Sequence, residues 1–179
     1  MLELTVSGEY FDDDTERFLM VKPKTVRLEH SLRSVAIWES KWKKSFLSTE
    51  QKTIQETVDY IRCMCLTDIS ELEFGMLINT HLTEIKRYID SSQTATVINR
   101  PNHGSRSSEK ITSELIYYWM FSAGIPADPC EQWHLSRLLT LIEIFGIKNA
   151  PKKRMKSGDV SKMYRSLNAQ RRAKLSTNG

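Results

Sequence analysis

Few residues in this chain are equipped for chemistry, and their spacing decides what they can do. Cys130 and His134 stand four apart, a separation that places thiol and imidazole on one face of a helix. A cysteine near a helix N-terminus ionises more readily, so the pair has the composition of a nucleophile and its base. Nothing in the sequence adds an oxyanion hole or a third group to orient the histidine, so packing and capping contacts are the expected role of both. Cys63-Met64-Cys65 is a C-x-C, whereas structural zinc sites draw on two spaced ligand pairs. The nearest further donors, His81 and His103, stand in no recognised spacing, and Cys65 reads as core with Cys63 near the other face of its helix. His30, His81, His103 and His134 fall in no metal or nucleophile motif. Asp12-Asp13-Asp14 lacks the glycine and closing glutamate of a calcium loop and reads as a solvated turn. The expectation is a protein that is not an enzyme, with no catalytic residue, no metal and no cofactor.

These residues must be carried by short strands and amphipathic helices. Residues 2–6 alternate apolar and polar like a half-buried strand, and 17–22 and 25–29 read as two more around Pro23. Ser31 is a suitable N-cap for a helix with Val35, Trp38 and Trp42 on one face. Thr53 and Glu56 form a capping box, followed by a stripe of Ile54, Val58, Ile61 and Cys65. Residues 68–79 look less regular, and Leu82, Ile85 and Ile89 mark a short helix. A polar loop spans 91–110, with a short extended piece at 96–98. Residues 109–123 are apolar on most sides, which suits a central or interfacial helix. Asp128, Pro129 and Glu131 then signal the start of a helix over 129–145, capped by Gly146 and paired with 109–123 as an antiparallel hairpin. The reading is an α+β, mostly α-helical fold: a small N-terminal antiparallel sheet, about five helices and a basic C-terminal extension. Residues 1–150 form one domain (sheet in 1–30, helices in 31–150), and 151–179 an extension.

Composition excludes several classes. The chain has 179 residues, 40% hydrophobic and 27% charged, enough for a core without disulfide staples. No apolar run approaches the roughly 20 residues of a membrane span, and no signal peptide is evident at the N-terminus. Three cysteines fit a reducing cytosol better than a disulfide framework. The net charge of +4 is unevenly spread. Residues 1–147 hold sixteen Lys/Arg against twenty-one Asp/Glu, while from Lys148 onward ten Lys/Arg face Asp159 alone. An acidic body thus carries a strongly basic end. That end suits phosphates, an acidic protein surface, or plain solvation. Residues 159–175 have weak helical marks at Met163, Leu167 and Leu175, too few for a helix stable alone.

Several stretches together resemble a known family. They are Leu28-Glu29-His30-Ser31-Leu32, Ile37-Trp38-Glu39-Ser40-Lys41-Trp42, Asp59-Tyr60-Ile61-Arg62-Cys63-Met64, Ile111-Thr112-Ser113-Glu114-Leu115-Ile116-Tyr117-Tyr118-Trp119-Met120, Trp133-His134-Leu135-Ser136-Arg137-Leu138-Leu139 and Leu167-Asn168-Ala169-Gln170-Arg171-Arg172-Ala173-Lys174-Leu175. Over nearly the whole chain this resembles the tail assembly chaperones of tailed bacteriophages. The resemblance implies a non-enzymatic protein of the host bacterial cytoplasm, absent from the finished virion. It would coat the long, aggregation-prone tape-measure protein before tail-tube subunits polymerise around it. It also implies a homo-oligomer, and in some members a longer frameshifted form that recruits the tail-tube protein. The family has no catalytic residues to transfer.

A chaperone needs exposed apolar area, which monomers normally avoid. The candidate partner-binding residues are Tyr117, Trp119, Met120 and Phe121, for self-association or client binding. Lys152, Lys153, Arg154, Arg171 and Arg172 are the candidates in the basic end. The alternatives are a nucleic-acid-binding protein acting through that end, or a structural connector or tail component of the virion.

Overall fold

Leu4 and Val6 alternate inward on one strand, and Val26 and Leu28 answer them on its partner. In this computed structural model, which describes residues 1–12, 16–98, 110–150 and 157–175, they belong to β1 (Leu2–Asp12) and β2 (Arg17–Leu28). The two strands form one antiparallel hairpin, with Leu2 opposite Leu28 and Asp12 opposite Arg17. The break expected at Pro23 is a bulge within a continuous strand: the register moves from Val6–Lys24 to Gly8–Val21. Both strands are sheet edges, so the missing proline N–H is tolerated there.

The helices are α1 (Leu32–Trp42), α2 (Ile54–Met64), α3 (Glu71–Asp90), α4 (Ser113–Ser122), α5 (Ala127–Cys130), α6 (Leu135–Asn149) and α7 (Ser157–Leu175). The fold is therefore α+β and mostly helical, with seven helices among the described residues where about five were expected. Met1–Phe145 and Gly146–Gly179 form two compact units.

Ser31 caps α1 as expected, its Oγ accepting from the Ser34 N–H at 3.2 Å. The Thr53–Glu56 box on α2 is complete, with the Thr53 N–H donating to Glu56 Oε2 at 2.7 Å. The face α2 buries is the expected stripe only in part: Ile61 is buried, and Val58 and Cys65 pack half-buried against the core. Ile54 is 86% exposed, and Tyr60 and Met64 point inward beside Ile61. Aromatic packing sets this phase: Phe46 stacks on Tyr60 with centroids 3.9 Å apart, and Trp38 meets Phe46 edge-on. The irregular segment expected at 68–79 is the first half of α3. A second capping box, Ser70 with Glu73, starts a helix that buries Phe74, Leu77 and Ile85.

Asp128 is extended (φ −87°, ψ 131°), as an N-cap is, but the helix expected to follow it does not continue, because the chain turns at 131–133. α6 begins only at Leu135 and runs through Gly146, which therefore caps nothing. The segment before it docks on the α1 entry. The Arg33 N–H donates to Glu131 O at 3.2 Å, and the Leu135 N–H donates to His30 O at 2.7 Å.

One buried carboxylate joins three segments. Glu39 on α1 accepts the Phe46 N–H at Oε1 and the Ser113 N–H at Oε2, both at 2.7 Å. It thereby ties the turn after α1 to the first residue of α4. Glu39→Ala removes the acceptor of two backbone donors, so unfolding stability should drop by about 3 kcal/mol, and by less in Glu39→Gln, which keeps one acceptor oxygen. Urea denaturation midpoints of the three proteins check this, and equal midpoints would contradict it.

Candidate functional site

The cysteine–histidine pair read from the sequence is not assembled. Cys130 is buried at the end of α5, and the residues between it and His134 are not one helix. The His134 ring is engaged elsewhere, Nδ1 with Ser136 Oγ at 2.8 Å and Nε2 with Tyr88 O at 3.3 Å. Its neighbour is His30, with ring centroids 5.0 Å apart, and His30 Nδ1 pairs with the Tyr60 hydroxyl. Beside them, the Glu29 carboxylate accepts from Tyr88 Oη and binds the Met1 amine, each at 2.7 Å.

Burial governs the titration of these groups. It pushes His30 down to about 4, with the nearby His134 adding to the fall, and it lowers His134 itself. A cavity of about 500 Å³ opens alongside, lined by Glu29, Ser34, Arg33, Cys63, Cys65 and Gln132. Burial raises both thiols there, Cys65 to about 11, which keeps them protonated and poor nucleophiles near neutral pH. Cys63 and Cys65 are both half-buried rather than split between core and surface. Among the described residues, no group of three His, Cys, Asp or Glu could hold a metal ion, and no helix is long and apolar enough to cross a membrane.

α4 carries an exposed aromatic surface. Ser113, Ile116 and Met120 are buried on its inner side. Glu114, Tyr117, Tyr118 and Phe121 recur at 0, 3, 4 and 7 on the opposite side. Tyr118 is 65% and Phe121 63% exposed. Tyr117 is half-buried, stacks on Phe121 with centroids 6.2 Å apart and donates its hydroxyl to Glu131 at 2.7 Å. Trp119 is half-buried against the core. Met120 is fully buried, so its place among the partner-binding candidates is corrected to core packing. Tyr118 was missed, although its spacing from Phe121 could have revealed it.

Arg171 and Arg172 lie exposed on α7. Lys152, Lys153 and Arg154, like Asp13 and Asp14 of the acidic turn, fall outside the described residues. A second exposed apolar surface was not read from the sequence at all. It lies at the far end of the hairpin, where Phe18 is 69% and Met20 72% exposed. Phe18 and Met20 lie in the strand read at 17–22, but the first strand, read only to residue 6, gave them no partners at Phe11 and Glu9.

No family model, no curated protein and no solved structure matches this chain.

The histidine pair makes stability depend on acidity. His30 is neutral in the fold down to about pH 4, whereas in the unfolded chain it takes its proton near 6.5. Stability is therefore fully present above 6.5 and is lost as pH falls from there to about 4, by about 3 kcal/mol from this residue. Urea midpoints across that window should slope downward toward acid, and His30→Gln should flatten the slope. An unchanged slope in the variant would refute the assignment.

Proposed function

We propose that this chain is a non-enzymatic assembly chaperone that binds a long, apolar, helical client. The resemblance to phage tail assembly chaperones suggests that the client is a tape-measure protein, with tail-tube protein as a second partner and the host cytoplasm as the place of action. The observation that carries the reading is the outer face of α4. Tyr117, Tyr118 and Phe121 form an aromatic stripe held on a helix whose other side is locked into the core. Two-thirds-exposed aromatic rings at i and i+3 match the way a groove or helix face receives an amphipathic helix. Rigid aromatic side chains also give large contact area at low entropic cost. Such a surface holds an apolar client without chemistry and releases it when a competing polymer covers the same residues.

Replacing Tyr118 and Phe121 together by Ser should abolish suppression of tape-measure fragment aggregation, followed by light scattering. Stability should change by less than about 1 kcal/mol, because both side chains already face solvent. Suppression by the unaltered protein should persist at about 0.5 M salt, unlike phosphate binding through counterion release. Full suppression by the double variant would refute the reading.

A further inference from the structure

α7 has no part in the client surface of α4, yet it is strongly basic. Lys162, Arg165, Arg171, Arg172 and Lys174 are all exposed on it, and Asp159 is the one acid in its sequence. These cations are not gathered on one side. Lys162, Arg165 and Arg172 stand at 0, 3 and 10 along one side of the helix. Tyr164, Leu167 and Arg171 stand at 0, 3 and 7 along another, with Met163 and Lys174 next to them. Tyr164 is 59% exposed, so its ring meets solvent with Arg165 beside it in sequence and Arg171 two turns further on the same side.

This arrangement selects among the polyanions that a basic helix can meet. A helix lying in an anionic membrane surface needs a continuous apolar face. Here the apolar side holds Met163, Tyr164 and Leu167 and then turns cationic at Arg171 and Lys174. An acidic protein surface covers one side of a helix and leaves cations on the other side in water. A nucleic-acid strand follows positive charge along its backbone, and its unpaired bases offer flat faces to an exposed aromatic ring.

We propose that α7 binds single-stranded nucleic acid without regard to sequence. Lys162, Arg165 and Arg172 hold phosphates along one side, Arg171 holds a further phosphate, and a base stacks on Tyr164 between them. Client binding is proposed for α4 and is independent of this contact, so either can fail without the other.

Fluorescence anisotropy of the full-length chain with a labelled oligothymidine tests it, the probe being about 20 nucleotides long so that it exceeds one binding site. The unaltered protein should bind this strand more tightly than a duplex of equal length, and log K should fall linearly with log salt. Arg165→Gln with Arg172→Gln should make that slope shallower by about 1.4, or about 0.7 for each phosphate released. Tyr164→Ser should weaken binding about tenfold at an unchanged slope, whereas Tyr164→Phe keeps the stacking ring and should bind like the unaltered protein. Absence of binding at about 50 mM salt overturns the proposal, as does an unchanged slope in the arginine variant. So does equal weakening by Tyr164→Ser and Tyr164→Phe, or a duplex bound as tightly as the strand. Tighter binding to phosphatidylserine vesicles or to polyglutamate than to the strand overturns it in favour of a membrane or an acidic protein. If the double arginine variant loses helical circular dichroism, Arg172→Gln alone runs the same test with a slope change of about 0.7.

Discussion

Glu39 sets the orientation of the outer face of α4 through two hydrogen bonds. Its buried carboxylate sits where α1 ends, where Phe46 turns into the aromatic cluster, and where α4 begins. A negative charge beside the first N–H of a helix is also favoured by the helix dipole. The consequence for α4 is rotational. Once Ser113 is turned inward to meet Glu39, the helical period carries Ile116 and Met120 inward as well. Tyr118 and Phe121 are then obliged to face out. The exposure of those rings is thus fixed by a polar contact at the start of the helix, together with the core that the inner residues fill.

Burial explains both what the interior does and what it does not do. His30, His134, Tyr60, Tyr88 and Glu29 form a connected polar cluster around the α1 entry and the α6 start. Such a constellation resembles catalytic machinery in residue type. Removal from water holds the imidazoles neutral and the neighbouring thiols protonated. The groups instead satisfy one another, and they dock the residue 29–31 crossover against α6 through the Leu135 to His30 backbone bond. The same desolvation that stabilises the neutral forms makes this junction sensitive to acid.

Local hydrogen-bond signals were the most legible part of the sequence. Ser31 and the Thr53–Glu56 box stand in the structure as they read. Ser70–Glu73 is the same signal, and reading it would have given α3 its full length. Periodicity was less reliable where two faces competed. Ile54 fits a helical stripe through Ile61, yet the pull of Trp38 and Phe46 turned Tyr60 and Met64 inward. That outcome depends on residues distant in sequence and lies outside any window along the chain. Asp128-Pro129 misled because its capping signals are intact while the chain breaks only after them, at 131–133. For the candidate surface, the apolar excess of 109–123 was legible but its phase was not. Met120 and Phe121 are neighbours in sequence and opposite in exposure.

The surface also separates affinity from selectivity. Apolar contact is non-directional, and exposed apolar residues stand on several described elements, the hairpin, α4 and α7 among them. With apolar character alone, any of these patches would adhere to any other. Charge distinguishes them: the hairpin is acidic in sequence, α7 is basic, and α4 bears Glu114 at the start of its aromatic stripe. The net charge of +4 conceals this arrangement because it averages an acidic first unit with a basic second one. The physical content lies in the separation of sign between the two units, each with exposed apolar residues.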